Sequence, residues 1–174
     1  MRKKYEPTWL IESIVQLTPE MLKVQGIKAV LADLDNTMIA WNNLDGTKEI
    51  HQWLKEMKAA GVSVIVVSNN KTSRVSRAVA PLGVDFVSWS MKPFCRGINV
   101  AQRKLRIEKK EMVMVGDQLM TDILAANRSG IRSILVKPIV ESDSFITKFN
   151  RARERRILKK LAKTDDLTYK KGIR

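Results

Sequence analysis

The sequence predicts an α/β fold with three layers, a parallel sheet with helices on both faces, and no large cap domain. Apolar runs of strand length alternate along the chain with stretches whose apolar residues have helical spacing. Repeated strand–helix units of this kind form parallel sheets. The apolar runs are also continuous rather than alternating, which is typical of strands buried on both faces.

The predicted strands are short and rich in β-branched residues. The first, at residues 27–33, reads IKAVLAD, and the second, at residues 62–68, reads VSVIVVS. Runs of this length and composition, bounded by glycine or proline, indicate strands rather than helices. Three shorter runs at residues 84–87, 112–116 and 133–136 complete the predicted sheet.

Four helices are predicted between these strands, at residues 47–60, 71–80, 93–105 and 119–129. The third would carry Pro93 in its first turn, where proline is tolerated because its missing N–H has no acceptor within the helix. Each of the intervals between strands is long enough for one helix and a loop. No interval has the ~50 residues that a separate cap with its own core would need.

Three parts of the chain are expected. Residues 1–26 form an amphipathic N-terminal lead-in with an apolar cluster and at least one short helix, and its stretch at residues 9–17 could dock on an anionic membrane. Residues 27–140 form the core. Residues 141–174 form a basic C-terminal helix, at 145–162, and a tail. No apolar run approaches the ~20 residues that span a bilayer, and no secretory leader is expected. The single cysteine fits a cytoplasmic protein.

Charge is the unusual feature of the composition. The chain has 32 Lys and Arg and 18 Asp and Glu, a formal net charge of +14, and residues 137–174 carry 12 of the basic and five of the acidic residues. Such a field attracts nucleic acid, anionic membranes or phosphorylated substrates. The basic tail is therefore a solvated helix, a membrane-docking element or a contact for RNA or the ribosome. Nucleic acid is the less favoured partner because aromatic residues are only 6% of the chain.

Polar residues follow the predicted strands at the points where those strands end. In an open parallel sheet the ligand site lies beyond the carboxyl ends of the strands, so these side chains should meet at one edge. In chain order they are Asp33 and Asp35, then Ser68 and Asn69, then Lys92, and finally Asp117 and Asp122.

This set of side chains suits phosphoryl transfer. Mg²⁺ prefers oxygen ligands, which Asp33, Asp117 and Asp122 can supply as carboxylates and Asp35 as a backbone carbonyl. Asp33 can attack phosphorus and form an aspartyl phosphate, while Asp35 protonates the leaving oxygen and later activates water.

Phosphate binding is assigned to residues of the second and third strand ends. Ser68 and Asn69 can hydrogen-bond to the phosphoryl oxygens. Lys92 supplies positive charge to the phosphate and to the attacking carboxylate, which offsets the repulsion between two anions.

The motifs VLADLDNT, VIVVSNN, KP and GDQLMTD, in this order between residues 27 and 136, resemble the four motifs of the haloacid dehalogenase (HAD) superfamily. The resemblance implies a Rossmann-like core with Asp33 as nucleophile, Asp35 as acid and base, Ser68 and Lys92 as phosphate binders, and Asp117 and Asp122 as metal anchors. Together with Trp41, the motifs are similar to those of the YqeG-type branch, which itself resembles the phosphatidylglycerophosphate phosphatases.

The sequence thus predicts a Mg²⁺-dependent phosphatase with an open site. The expected substrate is phosphatidylglycerophosphate, a phospholipid with a phosphorylated headgroup. The enzyme would then work in the cytoplasm, peripherally at the inner face of the membrane. Two alternatives stay open: a phosphatase of a small soluble phosphate, such as a nucleotide or sugar phosphate, and a basic RNA- or ribosome-binding protein with a vestigial site.

Overall fold

The computed structural model describes residues 3–40, 45–140, 154, 156–159, 169, 172 and 173. Within them six strands form one sheet, in the spatial order β1-β6-β5-β2-β3-β4, and every neighbouring pair is parallel. The predicted parallel sheet is confirmed. The strands are β1 (Trp9–Ile11), β2 (Ala29–Ala32), β3 (Ser63–Val67), β4 (Asp85–Val87), β5 (Met112–Gly116) and β6 (Arg132–Val136).

The helices connect these strands. They are α1 (Pro19–Val24), α2 (Lys48–Ala59), α3 (Thr72–Val79), α4 (Arg96–Leu105) and α5 (Leu124–Ser129). The caps follow the sequence: the Thr18 and Thr47 hydroxyls accept hydrogen bonds from backbone N–H groups in the first turns of α1 and α2. The short helix expected before residue 26 is therefore α1.

The sheet buries both of its faces. Successive residues of β2 alternate between two hydrophobic clusters, with Val30 and Ala32 in one and Ala29 and Leu31 in the other. Helices α1, α2 and α3 contribute to the first cluster, and α4 and α5 contribute to the second. The three-layer arrangement is confirmed, and it explains why the strands read as continuous apolar runs.

Strand β1 was not predicted from the sequence. Residues 9–17 were interpreted as part of an amphipathic lead-in that could dock on a membrane, yet β1 pairs with β6 at the edge of the sheet. Four apolar side chains of this stretch, Leu10, Ile11, Ile14 and Leu17, are at most 5% exposed, whereas Trp9 is half-buried and Val15 is exposed. Most of the apolar surface of this stretch is therefore held in the core and is not available for docking.

Two predicted helices begin differently in the structure. The helix expected from residue 93 begins at Arg96, because a turn closed by a Phe94 N–H to Met91 O hydrogen bond (2.8 Å) precedes it. The helix expected from residue 119 begins with a π-helical turn, Leu119–Ile123, and becomes α5 only at Leu124. Both differences lie beside the predicted site.

Only parts of the basic C-terminal segment are described. Residues 154 and 156–159 are helical, and Ile157 and Leu158 pack on a cluster that includes Leu119 and Ile123 of the π-helical turn. Ile173 is 3% exposed and belongs to the main core. The rest of the predicted helix at 145–162, and Trp41, lie outside the described residues. Across the described ranges, no helix is long and apolar enough to cross a membrane.

Among the described residues, no separate domain covers the carboxyl edge of the sheet. Between β2 and β3 the described residues form α2, and between β3 and β4 they form α3, and both helices pack on the sheet. In the part of the chain that the structure describes, the predicted absence of a large cap is confirmed.

Candidate active site

Asp33 follows β2 and lies at the centre of the sheet's carboxyl edge. Its N–H donates to Val115 O of the neighbouring β5 (2.8 Å), which fixes the backbone where the strand ends. The residue is 9% exposed. One carboxylate oxygen, Oδ1, lies 2.6 Å from Lys92 Nζ. The predicted nucleophile is therefore nearly buried and already paired with a cation.

Lys92 joins three strand ends through one ammonium group. Its Nζ lies 2.6 Å from Asp33 Oδ1 and 2.7 Å from Asp122 Oδ1, and it donates to Val67 O at 2.7 Å. The lysine side chain is only 2% exposed. A buried ammonium is costly unless it is paired and hydrogen-bonded, and here it has two hydrogen-bond acceptors, Asp33 Oδ1 and Val67 O, and a second ion pair with Asp122.

Asp122 reaches this ammonium because of two local features. The π-helical turn carries its side chain towards the sheet, and Gln118 N–H donates to Asp122 Oδ2 (3.1 Å). Gly116, at the end of β5, provides the space: a Cβ there would lie 2.3 Å from Asp122 Cγ. The glycine of the GDQLMTD motif is thus required by the packing of a carboxylate against the strand.

The acids Asp33, Asp117 and Asp122 form a cluster that fits a metal ion. Each offers one carboxylate oxygen, and these three atoms lie within 4.8 Å of one another. A hard divalent cation such as Mg²⁺ binds oxygen donors of this kind. Thr37 Oγ1 donates to Asp117 Oδ1 at 3.5 Å, which orients the more exposed member. The donor set therefore suits the predicted metal.

Burial changes the proton affinities in this cluster. Burial raises the pKa of Asp33 to about 7, against the opposing effect of the Lys92 charge. The pKa of Asp117 rises to about 8, first through burial and then through the charges of Asp33 and Asp122. For Lys92, burial alone would lower the pKa, but the two paired carboxylates raise it above its usual range. The three acids carry more negative charge than one ammonium neutralises, which favours a divalent cation.

The loop that carries Lys92 is held by Asn69. Asn69 Oδ1 accepts from Lys92 N–H and from Ser90 Oγ (both 2.7 Å), and its Nδ2 donates to Lys92 O (2.9 Å). These contacts hold the loop in place around the lysine. Gly97 of α4 adds to this, because a Cβ there would lie 2.4 Å from Ser90 Cβ. The phosphate-binding role predicted for Asn69 stays a prediction.

Asp35 lies outside the metal cluster. Asn70 Nδ2 donates to its Oδ2, and Arg74 Nη2 pairs with its Oδ1, both at 2.6 Å. The Asp35 side chain is 25% exposed, against 13% for Asp33. Its carboxylate therefore faces the mouth of the site, and the metal contact predicted for its backbone carbonyl stays a prediction.

Asn70 and Arg74 were not among the predicted site residues. Asn70 lies in the loop before α3 and Arg74 in the first turn of α3, and both side chains contact Asp35. Both residues follow β3 closely, but their direction depends on the loop and not on helical spacing. Ser68 itself is 1% exposed, and its Oγ accepts from Asn70 N–H at 3.2 Å.

Comparison with known proteins agrees with this geometry. A family profile described as HAD-hydrolase-like matches residues 90–164. A probable phosphatase, YqeG of Bacillus subtilis, is 40% identical over 169 residues, 97% of this chain and 98% of that protein. A phosphatidylglycerophosphate phosphatase of Arabidopsis thaliana is 27% identical over 81% of this chain and 43% of its own length. CbbY of Rhodobacter sphaeroides, crystallised with xylulose-(1,5)bisphosphate, shares the fold (TM-score 0.52, 14% identity, 65% of this chain and 87% of that one).

Proposed function

The chain belongs to the HAD-like hydrolases, in the YqeG-type branch, and from that premise we propose that it is a Mg²⁺-dependent phosphatidylglycerophosphate phosphatase acting through an aspartyl phosphate. Phosphatase activity follows from the family. One observation supports the mechanism most directly: the Lys92 ammonium lies within 2.7 Å of both Asp33 and Asp122, in a cluster that Asp117 completes.

Asp33 is the proposed nucleophile, and Lys92 prepares it. Lys92 occupies Asp33 Oδ1, so Oδ2 is the oxygen left to attack phosphorus. As the new O–P bond forms, the bond from phosphorus to the leaving oxygen breaks. Positive charge fixed beside the carboxylate counters its repulsion from the phosphate dianion without rearrangement during the reaction.

Asp33, Asp117 and Asp122 are the residues that would hold Mg²⁺. When bound, the ion supplies electrostatic stabilisation of the phosphoryl oxygens. The fold keeps the three carboxylates close together, and the charge of Lys92 offsets part of the repulsion between them. The π-helical turn keeps Asp122 aimed inwards whatever the substrate.

Asp35 is the proposed proton donor and acceptor. Both of its oxygens accept hydrogen bonds from donors, Asn70 Nδ2 and Arg74 Nη2. To pass a proton to the leaving oxygen, Asp35 has to exchange one of these partners for the substrate. In the second step the same carboxylate takes a proton from the water that attacks the phosphoaspartate, and this regenerates Asp33.

The substrate assignment is supported by two features. The Arabidopsis relative is a phosphatidylglycerophosphate phosphatase, and its similarity covers 81% of this chain. The site also opens at a sheet edge over which the described residues place no cap, which leaves room for a phosphate attached to a large lipid. A net charge of +14 favours approach to an anionic bilayer, so we place the enzyme peripherally at the cytoplasmic face.

A substrate panel tests this function. The purified protein with Mg²⁺ is given phosphatidylglycerophosphate in mixed micelles, nucleotides, sugar phosphates and p-nitrophenyl phosphate, and released phosphate is measured. The proposal predicts the highest kcat/KM for the phospholipid. An equal or higher kcat/KM for a soluble phosphate would contradict the lipid assignment and identify that compound as the better substrate. Binding of RNA with no turnover of any phosphate would favour the alternative of an RNA-binding protein with a vestigial site.

The nucleophile is tested by Asp33→Asn. An amide cannot form the phosphoester, so phosphate release should fall by about a thousandfold or more. Asp85→Asn is the matched control, because Asp85 is also paired with a lysine but lies on the surface with its side chain 61% exposed. Turnover by Asp33→Asn equal to that of the control would remove Asp33 as nucleophile.

A further inference from the structure

The loop that carries Lys92 has the reverse of an ordinary burial pattern. Its polar residues point inwards: Ser90 is 0% and Lys92 6% exposed. Its large apolar residues point outwards: Trp89 is 57%, Met91 54% and Phe94 62% exposed. We call these three side chains the apolar rim. They lie next to the lysine that contacts the nucleophile, at the open mouth of the site.

The backbone enforces this pattern. Trp89 and Met91 have φ values of +48° and +57°, in the left-handed region that non-glycine residues rarely adopt. The conformation is kept by hydrogen bonds from Trp89 N–H to Asn70 O and from Ser90 N–H to Ser68 O, both 3.0 Å. These are the strand ends that build the site. The apolar rim is therefore exposed by the same contacts that bring Lys92 inside.

Two arginines, Arg96 and Arg128, contact the loop that carries the apolar rim. Arg96 donates through Nη1 to Trp89 O, and Arg128 donates to Pro93 O (3.1 Å) while its guanidinium lies 6.0 Å from the Phe94 ring centre. Exposed tryptophan and phenylalanine beside arginine are typical of surfaces that enter the interface of a lipid bilayer.

We propose that the apolar rim inserts into the interface of an anionic membrane and places the mouth of the site against the lipid headgroups. Arg96 and Arg128 would then lie at the level of the lipid phosphates, where their charge is complementary. The inference rests on the proposed function, since it explains how a phosphatase without a cap reaches a phosphate on a bilayer. It assigns docking to this loop rather than to residues 9–17, most of whose apolar side chains are in the core.

The test is binding to vesicles by a double variant, Trp89→Asn with Phe94→Ser. Asparagine tolerates positive φ, so the loop should keep its conformation. Sedimentation with vesicles of equal parts phosphatidylglycerol and phosphatidylcholine should weaken about tenfold or more, because two large apolar side chains no longer leave water. Wild-type binding should also fall sharply on vesicles of phosphatidylcholine alone.

The matched control is Val24→Asn. Val24 is 83% exposed, but it ends α1 and precedes β2, which places it towards the opposite edge of the sheet from the site. This variant should bind vesicles as the wild type does. The double variant should keep wild-type turnover of p-nitrophenyl phosphate, which shows that its site is intact.

Three results would overturn the proposal. These are unchanged vesicle binding by the double variant, equal weakening by Val24→Asn, and no wild-type binding to the anionic vesicles. If the double variant instead changes only the oligomeric state in sedimentation velocity, the rim is a contact between copies of the chain. Vesicle binding without hydrolysis of the phospholipid would support the docking role of the rim and contradict the proposed substrate. Hydrolysis of the phospholipid in micelles without vesicle binding would support the substrate and contradict the docking role.

Discussion

Two aspartates, separated by one residue in the same turn, have opposite surroundings. The Asp33 side chain is 13% exposed and is paired with a lysine that is itself buried. The Asp35 side chain is 25% exposed and is paired with an arginine whose side chain is 33% exposed. The inner pair is part of a fixed charge cluster, whereas the outer pair can separate and let water or substrate in. One turn thus carries the proposed nucleophile in a nearly buried ion pair and the proposed acid in a partly exposed one.

The two cations differ in the same way. Lys92 is a compact charge that hydrogen-bonds to Asp33 and Val67 and pairs with Asp122, so moving it would leave buried groups without partners. Arg74 stands on the first turn of a helix and reaches Asp35 from the solvent side. We therefore expect Lys92 to affect both stability and catalysis, and Arg74 to affect mainly catalysis.

Lys92→Met should have the larger effect of the two cation variants. It leaves the Asp33 and Asp122 carboxylates buried without a counter-charge, which costs about 3 kcal/mol in the free energy of unfolding. Turnover should fall by about a hundredfold or more. Urea unfolding and phosphate release measure the two effects, with Lys104→Met, in an exposed pair with Asp85, as control. Losses of stability and turnover for Lys92→Met no larger than those for Lys104→Met would show that the Lys92 cluster contributes no more than an exposed surface pair.

Arg74→Ala should have an intermediate effect, seen in catalysis more than in stability. The pair is partly exposed, so the free energy of unfolding should change by less than about 1 kcal/mol. Because Arg74 positions the proton donor, kcat should fall by about tenfold and the pH profile of kcat should shift. Arg74→Lys should restore part of kcat and of the profile. A change in KM alone would show that Arg74 contacts substrate and does not act through Asp35.

Asp117→Asn should have the smallest of the three effects. Unlike the other two variants, it should increase the free energy of unfolding. Since the folded-state pKa of Asp117 is about 8 and the ordinary value is 3.8, the folded protein holds a proton that the unfolded chain releases. Stability of the metal-free protein should therefore decline as the pH rises from about 4 to about 8. Asp117→Asn removes the cost of ionising a buried carboxyl, so the variant should be more stable than the wild type by on the order of 1 kcal/mol at pH 8 in EDTA.

The control for that prediction is the metal itself. Adding Mg²⁺ should raise the Tm of the wild type and leave the Tm of Asp117→Asn nearly unchanged, because a carboxylate of the cluster is missing. A variant that is less stable than the wild type at pH 8 in EDTA would contradict the sign. So would a difference that does not shrink towards pH 4.

The sequence predicted the core of the sheet because its strands carry their own signal. Residues 62–68 are almost all β-branched and bounded by Gly61 and Asn69, and the structure places β3 within one residue of those bounds. Strand β1 lacks such a signal. It has three residues, and Thr8 N–H contacts Ser133 Oγ (3.3 Å) from 125 positions away. Pairing at that separation leaves no local pattern in the chain.

The site was predictable to the level of strand ends but not of side-chain direction. Two consecutive asparagines follow Ser68, and nothing in the sequence distinguishes their roles. In the structure the Asn69 side chain hydrogen-bonds to the Lys92 loop, and the Asn70 side chain hydrogen-bonds to Asp35. Which amide faces which partner depends on the contacts of the next loop, which sequence spacing does not encode. The outward direction of Trp89 likewise depends on a backbone held by Asn70 and could not be inferred from its neighbours.

The pairing of β1 with β6 sets an order for assembly during synthesis. Strand β1 leaves the ribosome more than a hundred residues before the segment it binds, Arg132–Val136, has been translated. The nascent chain must therefore keep Leu10 and Ile11 from aggregating until the last strand emerges, while β2, β3 and β4 can already associate. Pulse proteolysis of ribosome-bound chains of increasing length should show protection of the β1 segment only after β6 has cleared the exit tunnel.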